Sequence, residues 1–204
     1  MLLFNAPNPA PNPRRVRIVL AEKGVSIPMR DLALRQGEHK HPDFLALNPL
    51  GQVPALQLDD GRVLTESLSI CRYLDALHPE PPLFGTDPFN AAEIDALTRR
   101  VELRLQRAVG MVWMHTHPLT APLVKPQFKE FGETQRTQAL TFMRELDATL
   151  AGRDWLDGRA YTIADVALLT CLDFANFIGL EIPQDLAHLR AWHARAAARP
   201  SAAA

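Results

Sequence analysis

A proline-rich segment divides this sequence into two parts with different hydrophobic patterns. Four of the eleven residues from His78 to Pro88 are proline, and proline both interrupts helices and restricts the conformations of a linker. Before this segment, short apolar runs alternate with helical stretches, whereas strand signals almost vanish after it. The sequence therefore predicts a first domain at residues 1–78, a linker at 79–90 and a second domain at 91–204.

The first part has the pattern of an α/β domain. Seven short elements are expected, namely strands at residues 2–4 and 29–34, a hairpin at 55–58 and 62–64, and helices at 14–23, 42–47 and 68–77. A strand, a helix and a second strand, followed by a hairpin and a last helix, form a sheet with helices packed on it.

The second part is predicted to be all-α. Helices are expected at residues 91–114, 126–150 and 186–197, with a further one beginning at Thr162. In that helix the Thr162 hydroxyl and the Asp165 carboxylate have the spacing of a capping box. The body from Val166 to Leu172 is apolar on nearly every side, so we expect this helix at the centre of the helical domain.

Composition excludes several classes of function. The 204 residues carry 22 basic and 23 acidic side chains, which argues against a nucleic-acid partner and a membrane surface. No segment approaches the ~20 apolar residues of a membrane span, and the first five residues lack the features of a signal peptide. A cytoplasmic protein is expected. Cys71 and Cys171 stand far apart in apolar helical patterns, which is typical of core residues rather than of a disulfide or a metal site.

Two short motifs in the first part indicate a binding site for a small peptide-like anion. Pro54 cannot donate to a sheet ladder, and a cis bond before it would leave the backbone of Val53 exposed to a ligand. Glu66 and Ser67 place an acid and a hydroxyl at the start of a predicted helix, where backbone N–H groups bind anions. The same pair could instead be an ordinary helix start with an acid in its first turn.

The order and spacing of these motifs resemble the cytosolic glutathione transferase family over essentially the whole chain. The resemblance is carried by 15–17 and 22–24, Gly37-Glu38-His39, 48–54, Glu66-Ser67 with Ile70, Tyr73 and Leu74, and 162–165. It implies a thioredoxin-like N-terminal domain, an all-helical C-terminal domain, glutathione as co-substrate without a metal, and a homodimer. The segments at 37–40, 100–103 and 115–118 look closest to atypical fungal and bacterial members.

The resemblance also implies a mode of glutathione binding. The Val53 backbone, opened by cis Pro54, would pair with the cysteinyl unit in strand-like fashion. Glu66 would take the γ-glutamyl ammonium and Ser67 its carboxylate.

The glycyl carboxylate of glutathione needs a cation or a hydrogen-bond donor at the other end of the site. His39 matches a family position and Lys40 is its neighbour, although both could also belong to a solvated loop. Gln52 stands where many members have lysine, so it can donate a hydrogen bond but brings no charge.

The residue that most family members use to activate the thiol is absent. Ala10 stands where members carry Ser or Cys, and Asn5 lies near the position used by Tyr. Asn12 is the best donor of the first domain, although it could be a helix N-cap. His115 could hold a water against the thiol, or could, with His117, cap the end of its helix.

The expected function is a glutathione transferase that moves alkyl or aryl groups other than methyl, in detoxification. It would activate the glutathione thiol for attack on a small, apolar electrophile. Two alternatives remain open from the sequence, a glutathione-binding carrier with little turnover and a non-catalytic interaction module of the same fold.

Overall fold

The computed structural model describes all 204 residues and contains two compact units. One comprises residues 1–83 together with 200–204, and the other comprises residues 84–199. The sequence-based division assigned residues 200–204 to the helical domain, whereas in the structure they pack with the α/β unit. None of the helices is both long and apolar enough to cross a membrane.

The α/β unit has the predicted order of elements. They are β1 (Leu2–Asn5), α1 (Pro11–Glu22), β2 (Met29–Asp31), α2 (Pro42–Leu47), β3 (Ala55–Gln57), β4 (Val63–Thr65) and α3 (Ser67–Leu77). The four strands form one sheet in the order β2-β1-β3-β4. β1 pairs with β2 in parallel, and the other two pairs are antiparallel. The predicted α/β class is confirmed.

The second strand is shorter than predicted. β2 ends at Asp31, and the predicted strand residues 32–34 lead instead into a 3₁₀ turn at Leu34–Gln36. The Glu38 carboxylate accepts the N–H of Ala33 at 2.9 Å and pairs with the Arg30 guanidinium at 2.7 Å. These two bonds fold the chain back on itself, and Gly37 completes the turn at a φ of 75°.

The start of α1 differs from a simple capped helix. Its N-cap is Ala10, without a side-chain cap bond, and Pro11 follows as the first helical residue. The helix therefore starts three residues before the predicted Arg14, because proline is well suited to this position. Asn12 lies inside the first turn, so the alternative in which Asn12 caps the helix is wrong.

The helical unit contains one long interrupted helix and three further α-helices. Its elements are α4 (Pro88–Arg100), a π-helical segment (Val101–Gln106), α5 (Arg107–Thr116), α6 (Lys129–Thr149), α7 (Ile163–Phe177) and α8 (Ala187–Ala197). The predicted helix at 91–114 is this continuous stretch from Pro88 to Thr116. The helix predicted from residue 126 begins at Lys129, because Phe128 has non-helical backbone angles and donates its N–H to His115.

Asp165 organises the centre of the helical unit. The predicted capping box is present at the start of α7, and eleven residues of this helix are buried. The Asp165 carboxylate accepts the N–H groups of Leu156 and Thr162, the Thr162 hydroxyl and the indole N–H of Trp192. Burial raises the pKa of Asp165 to about 6, although these donors favour the anion. Its contribution to the free energy of unfolding therefore decreases as the pH rises from about 4 to about 6.

Gly132 lets α6 approach α5 closely. A Cβ atom at this buried position would lie 2.4 Å from Cγ2 of Thr116 and 3.2 Å from Cβ of His115. Gly110 in α5 is also inside a helix, but a Cβ atom there would meet nothing within 4 Å. Substitutions at the two glycines therefore distinguish the effect of close helix packing from the effect of helix propensity.

Gly132→Ala is expected to lower the free energy of unfolding by about 1–3 kcal/mol, the usual effect of overpacking a close contact. Gly110→Ala is expected to raise it by up to about 1 kcal/mol, because alanine is the better helix former. Chemical denaturation followed by circular dichroism measures both. Stabilisation by both substitutions would contradict the close α5–α6 contact.

Candidate functional site

A cavity of about 390 Å³ lies within the α/β unit. Its lining includes eight of the site residues predicted from the sequence, namely Asn12, His39, Lys40, Gln52, Val53, Pro54, Glu66 and Ser67. The other four lining residues were not predicted to belong to the site, namely Leu34, Asn48, Gly51 and Thr65. Residues separated by more than fifty positions in the chain therefore meet around one space.

The backbone of Val53 lies beside the sheet without belonging to it. The Val53–Pro54 peptide bond is cis, and β3 starts at Ala55, which pairs with Phe4 of β1. No backbone hydrogen bond joins the N–H or C=O of Val53 to another residue. An extended peptide placed in the cavity could pair with both groups.

Glu66 has an unusual backbone conformation at the start of α3. Its φ is 64° and its ψ is 118°, and it is the only residue other than glycine with a positive φ. Such angles are unfavourable for a residue with a side chain and are found mainly at functional sites. The Glu66 side chain is exposed and makes no cap bond, so its carboxylate is available to a cationic ligand group.

Ser67 is held in place by a buried arginine. Ser67 is 6% exposed, and its hydroxyl accepts a hydrogen bond from Nη1 of Arg15 at 3.3 Å. The hydroxyl hydrogen remains as a donor, and the residue stands at the first position of α3, where the helix end is positive. This end of the cavity thus offers a carboxylate beside anion-binding groups, which suits an amino-acid zwitterion.

The segment that precedes α2 supplies a cationic region of the cavity. Nζ of Lys40 donates to the carbonyls of Leu50 and Gly51, each at 2.9 Å. Nδ1 of His39 is buried and has no hydrogen-bond partner in the protein. Burial, and then the charge of Lys40, lower the pKa of His39. His39 is half-buried and Lys40 is exposed, and both line the cavity.

Gly51 brings the two cavity loops together. Its φ is 56°, and a Cβ atom would lie 2.6 Å from the carbonyl oxygen of His39 and 2.8 Å from Nζ of Lys40. The neighbouring Asn48 is buried, and its Nδ2 donates to the carbonyl of Gln52 at 2.8 Å. These contacts fix the Gln52 backbone, while the Gln52 side chain stays exposed.

Several positioning residues of this cavity have weak signals in the sequence. Asn48 and Gly51 belong to the recognised motif, but only the structure shows what each contacts. Arg15 belongs to a different segment of the resemblance, residues 15–17, and its full burial beside Ser67 gives it a role that sequence spacing could not reveal. Asn5 lies outside the cavity lining, because its side chain bonds to Arg17 and Asp31.

The two candidate activating residues have different surroundings. Asn12 lies in the first turn of α1 and lines the cavity. His115 lies in the last turn of α5, where its Nδ1 accepts the N–H of Phe128 at 3.2 Å and its ring makes a T-shaped contact with the ring of Phe131. His117 is the C-cap residue of α5, but its Nδ1 accepts the N–H of Leu119 at 3.2 Å, so its ring caps the following 3₁₀ turn (Pro118–Thr120).

Neither a metal centre nor a reactive cysteine emerges from the structure. No group of three or more histidine, cysteine, aspartate and glutamate side chains is arranged to hold a metal ion. Cys71 and Cys171 are both buried, as predicted. Burial raises the pKa of Cys71 to about 12, which keeps this thiol protonated.

Family models and known proteins match this chain over most of its length. Family models described as the glutathione S-transferase N-terminal and C-terminal domains match residues 10–77 and 111–200. Glutathione S-transferase 2 of Saccharomyces cerevisiae is 39% identical over 204 residues, covering 98% of this chain and 87% of that protein.

Solved structures give the same result. The crystal structure of Gtt2 from Saccharomyces cerevisiae has a TM-score of 0.92 at 39% identity and is covered over 98% of both chains. That of a glutathione S-transferase domain-containing protein from Marinobacter aquaeolei has a TM-score of 0.93 at 39% identity, covering 98% of this chain and 99% of that one. A thioredoxin-like domain followed by a helical domain is thereby confirmed.

The backbone conformation of Glu66 predicts an unusual order of stability among substitutions. Glu66→Gly is expected to be more stable than Glu66→Ala by about 1 kcal/mol, because only glycine adopts a positive φ without strain. Thr65, in the adjoining strand, is the matched control, and there the glycine variant should be the less stable one. Chemical denaturation measures all four variants, and an alanine variant at position 66 as stable as the glycine variant would contradict the strain.

Proposed function

We propose, on the premise that this chain belongs to the glutathione S-transferase family and is a glutathione transferase, that it binds glutathione in the cavity of its α/β unit and activates the thiol with Asn12. The observation that carries this proposal is the convergence of an open backbone at Val53 and the Glu66–Ser67 pair on one cavity. The two groups suit the peptide part and the amino-acid part of one small ligand.

The γ-glutamyl end of glutathione binds at the start of α3 in this proposal. The exposed Glu66 carboxylate takes the ammonium group, while the Ser67 hydroxyl and N–H take the carboxylate. The bond from Arg15 holds the Ser67 oxygen, so this hydroxyl can direct its own hydrogen to the ligand. The cysteinyl unit then pairs with the N–H and C=O of Val53, which Pro54 keeps outside the ladder.

The glycyl carboxylate binds on the other side of the cavity. His39 and Lys40 supply donors and positive charge there, and the Gln52 side chain adds a neutral donor. The two backbone carbonyls that hold Lys40 and the buried Nδ1 of His39, which lacks a partner, support this assignment. A ligand carboxylate would complete the hydrogen bonding of this region.

Activation of the thiol depends on stabilising the thiolate. The N-terminal end of α1 is positive because the peptide dipoles of the whole helix are aligned along its axis. Pro11 and Pro13 have no N–H, so Asn12 is the proline-flanked position that offers both a backbone N–H and a side-chain amide. A hydrogen bond from Asn12 to the sulfur would lower the pKa of the bound thiol.

His115 is the second candidate for activation. Because its Nδ1 accepts the N–H of Phe128, the ring proton resides on Nε2, which can donate to a water. The contribution of His115 to the thiol pKa is therefore tested beside that of Asn12, with His115→Gln as the variant.

The proposed reaction is a nucleophilic transfer of an alkyl or aryl group. The thiolate forms a C–S bond to the electrophilic carbon, the leaving group departs with the bonding electron pair, and the thiol proton passes to solvent. The electrophile is a small apolar compound. Exposed apolar side chains at the end of α5 and in the following loop, Met114, Leu119 and Phe128, support this class.

A detoxifying homodimer in the cytoplasm completes the proposal. The cytoplasm holds the glutathione pool, and the two cysteines of this chain are free thiols. The exposed Arg99 and Arg100, with the half-buried Glu102, form a polar face that offers a seam for the second copy.

Asn12→Ala is expected to raise the pKa of the glutathione thiol bound to the enzyme by about 1–2 units, because a hydrogen bond to a charged group contributes about 1.5–3 kcal/mol. The ultraviolet absorbance of the bound thiolate, titrated against pH, measures this pKa. Asn176→Ala, at an exposed asparagine of α7, is the control. An unchanged pKa in Asn12→Ala together with a raised pKa in His115→Gln would move the activating role to His115.

Glutathione affinity is expected to increase at low pH through His39. Burial and the charge of Lys40 lower its pKa, so the imidazole is neutral near pH 7 and its protonation at lower pH places a cation beside the glycyl carboxylate. The affinity for S-methylglutathione, which has no titrating thiol, should therefore rise about 3–10-fold between pH 7.5 and 5.5. Isothermal titration calorimetry measures this change.

Two variants separate His39 from its surroundings. His39→Ala should lose the pH dependence, whereas His41→Ala, at an exposed neighbouring position, should retain it. The same pH dependence in wild type and His39→Ala would contradict the role of His39.

A further inference from the structure

The last residues of the chain are a packed part of the α/β unit. Residues 200–204, called here the C-terminal segment, group with residues 1–83. Pro200–Ala203 forms a 3₁₀ turn that packs on α1. Ser201 is 6% exposed and Ala202 is 8% exposed, so the centre of this turn is buried, while Pro200 and Ala203 on either side are exposed.

The C-terminal segment bonds to both ends of α1. In the first turn of the helix, Nη2 of Arg14 donates to the carbonyl of Ala202 at 2.8 Å. At the last residue of the helix, the Glu22 carboxylate accepts a hydrogen bond from the Ser201 hydroxyl at 2.5 Å. A helix held at both ends by one short segment resists sliding along its axis.

The backbone of the first turn of α1 has few N–H groups that can donate hydrogen bonds. Pro11 and Pro13 have no N–H, and the N-cap residue Ala10 makes no side-chain cap bond. The N–H of Arg14 reaches the carbonyl of Ala10 at a long 3.4 Å. Side-chain hydrogen bonds to other segments therefore contribute more to the position of this turn than they would in a well-capped helix. The Arg14 guanidinium makes such a bond, two residues after Asn12.

We propose that the C-terminal segment positions the first turn of α1, and with it Asn12, for activation of the glutathione thiol. This inference rests on the activating role proposed for Asn12. Arg14 and Ser201 are positioning residues that act through α1. Val53, Glu66 and Ser67 lie outside α1, and the bond that reaches Ser67 from this helix comes from Arg15, after the first turn. A displacement confined to the first turn therefore changes turnover more than glutathione binding.

Three variants and one control test this arrangement in the whole 204-residue chain. Arg14→Met removes the donor to Ala202, Ser201→Ala removes the donor to Glu22, and Arg14→Lys keeps a cation that can reach the Ala202 carbonyl. Arg190→Met, at an exposed arginine of α8, is the matched control. For each variant, kcat, KM for glutathione and the pKa of the bound thiol are measured with one apolar aryl halide as electrophile.

Arg14→Met is expected to lower kcat about tenfold at pH 7, within the roughly hundredfold loss that a 1 Å displacement of a catalytic group can cause. Its pH profile should shift to higher pH, because the thiol pKa rises, while KM for glutathione stays within about twofold. Ser201→Ala should show a smaller shift in the same direction. Arg14→Lys should restore kcat and the pH profile.

The outcomes separate this inference from the proposal on which it rests. A raised thiol pKa in Asn12→Ala with unchanged thiol pKa and kcat in Arg14→Met and Ser201→Ala would overturn only the positioning role. An unchanged thiol pKa in Asn12→Ala would overturn the proposed activation itself. Equal loss of folding stability in Arg14→Met and Arg14→Lys without any shift of the pH profile would show a purely structural anchor.

Discussion

Pro54 has no N–H to give to the sheet, so β3 begins at Ala55 and the backbone of Val53 remains outside the ladder. The rest of the cavity depends on this arrangement. Gly51 and Asn48 hold the preceding loop against the segment that carries Lys40, and the hairpin of β3 and β4 leads directly to Glu66 and Ser67. A peptide-like ligand can therefore meet backbone groups at its centre and charged groups at both ends.

The binding part and the activating part of the site are constructed differently. Glu66 and Ser67 are fixed by the backbone at the start of α3 and by the buried Arg15. Asn12, by contrast, sits in a helix turn that has two prolines and no capping side chain. Binding is thus determined by well-supported residues, whereas activation depends on the placement of a helix end, which is why Arg14 and the C-terminal segment matter.

Local rules account for what the sequence predicted well. The short helix at 42–47, the hairpin and the capping box of Thr162 and Asp165 all depend on residues within a few positions of one another. Tertiary contacts account for what it missed. The early end of β2 follows from the bonds of Glu38, and the packing of residues 200–204 on α1 has no local signal. The eight cavity residues could be predicted because the resemblance to a family relates positions that are far apart in the sequence. The positive φ of Glu66 could not be predicted in this way.

A crystal structure of the protein with bound glutathione tests the central claim most directly. The account predicts that the cysteinyl unit pairs with the N–H and C=O of Val53, that the γ-glutamyl group contacts Glu66 and Ser67, and that the sulfur lies within hydrogen-bond distance of Asn12. Glutathione bound elsewhere, or bound in this cavity without contact to Val53, would contradict it.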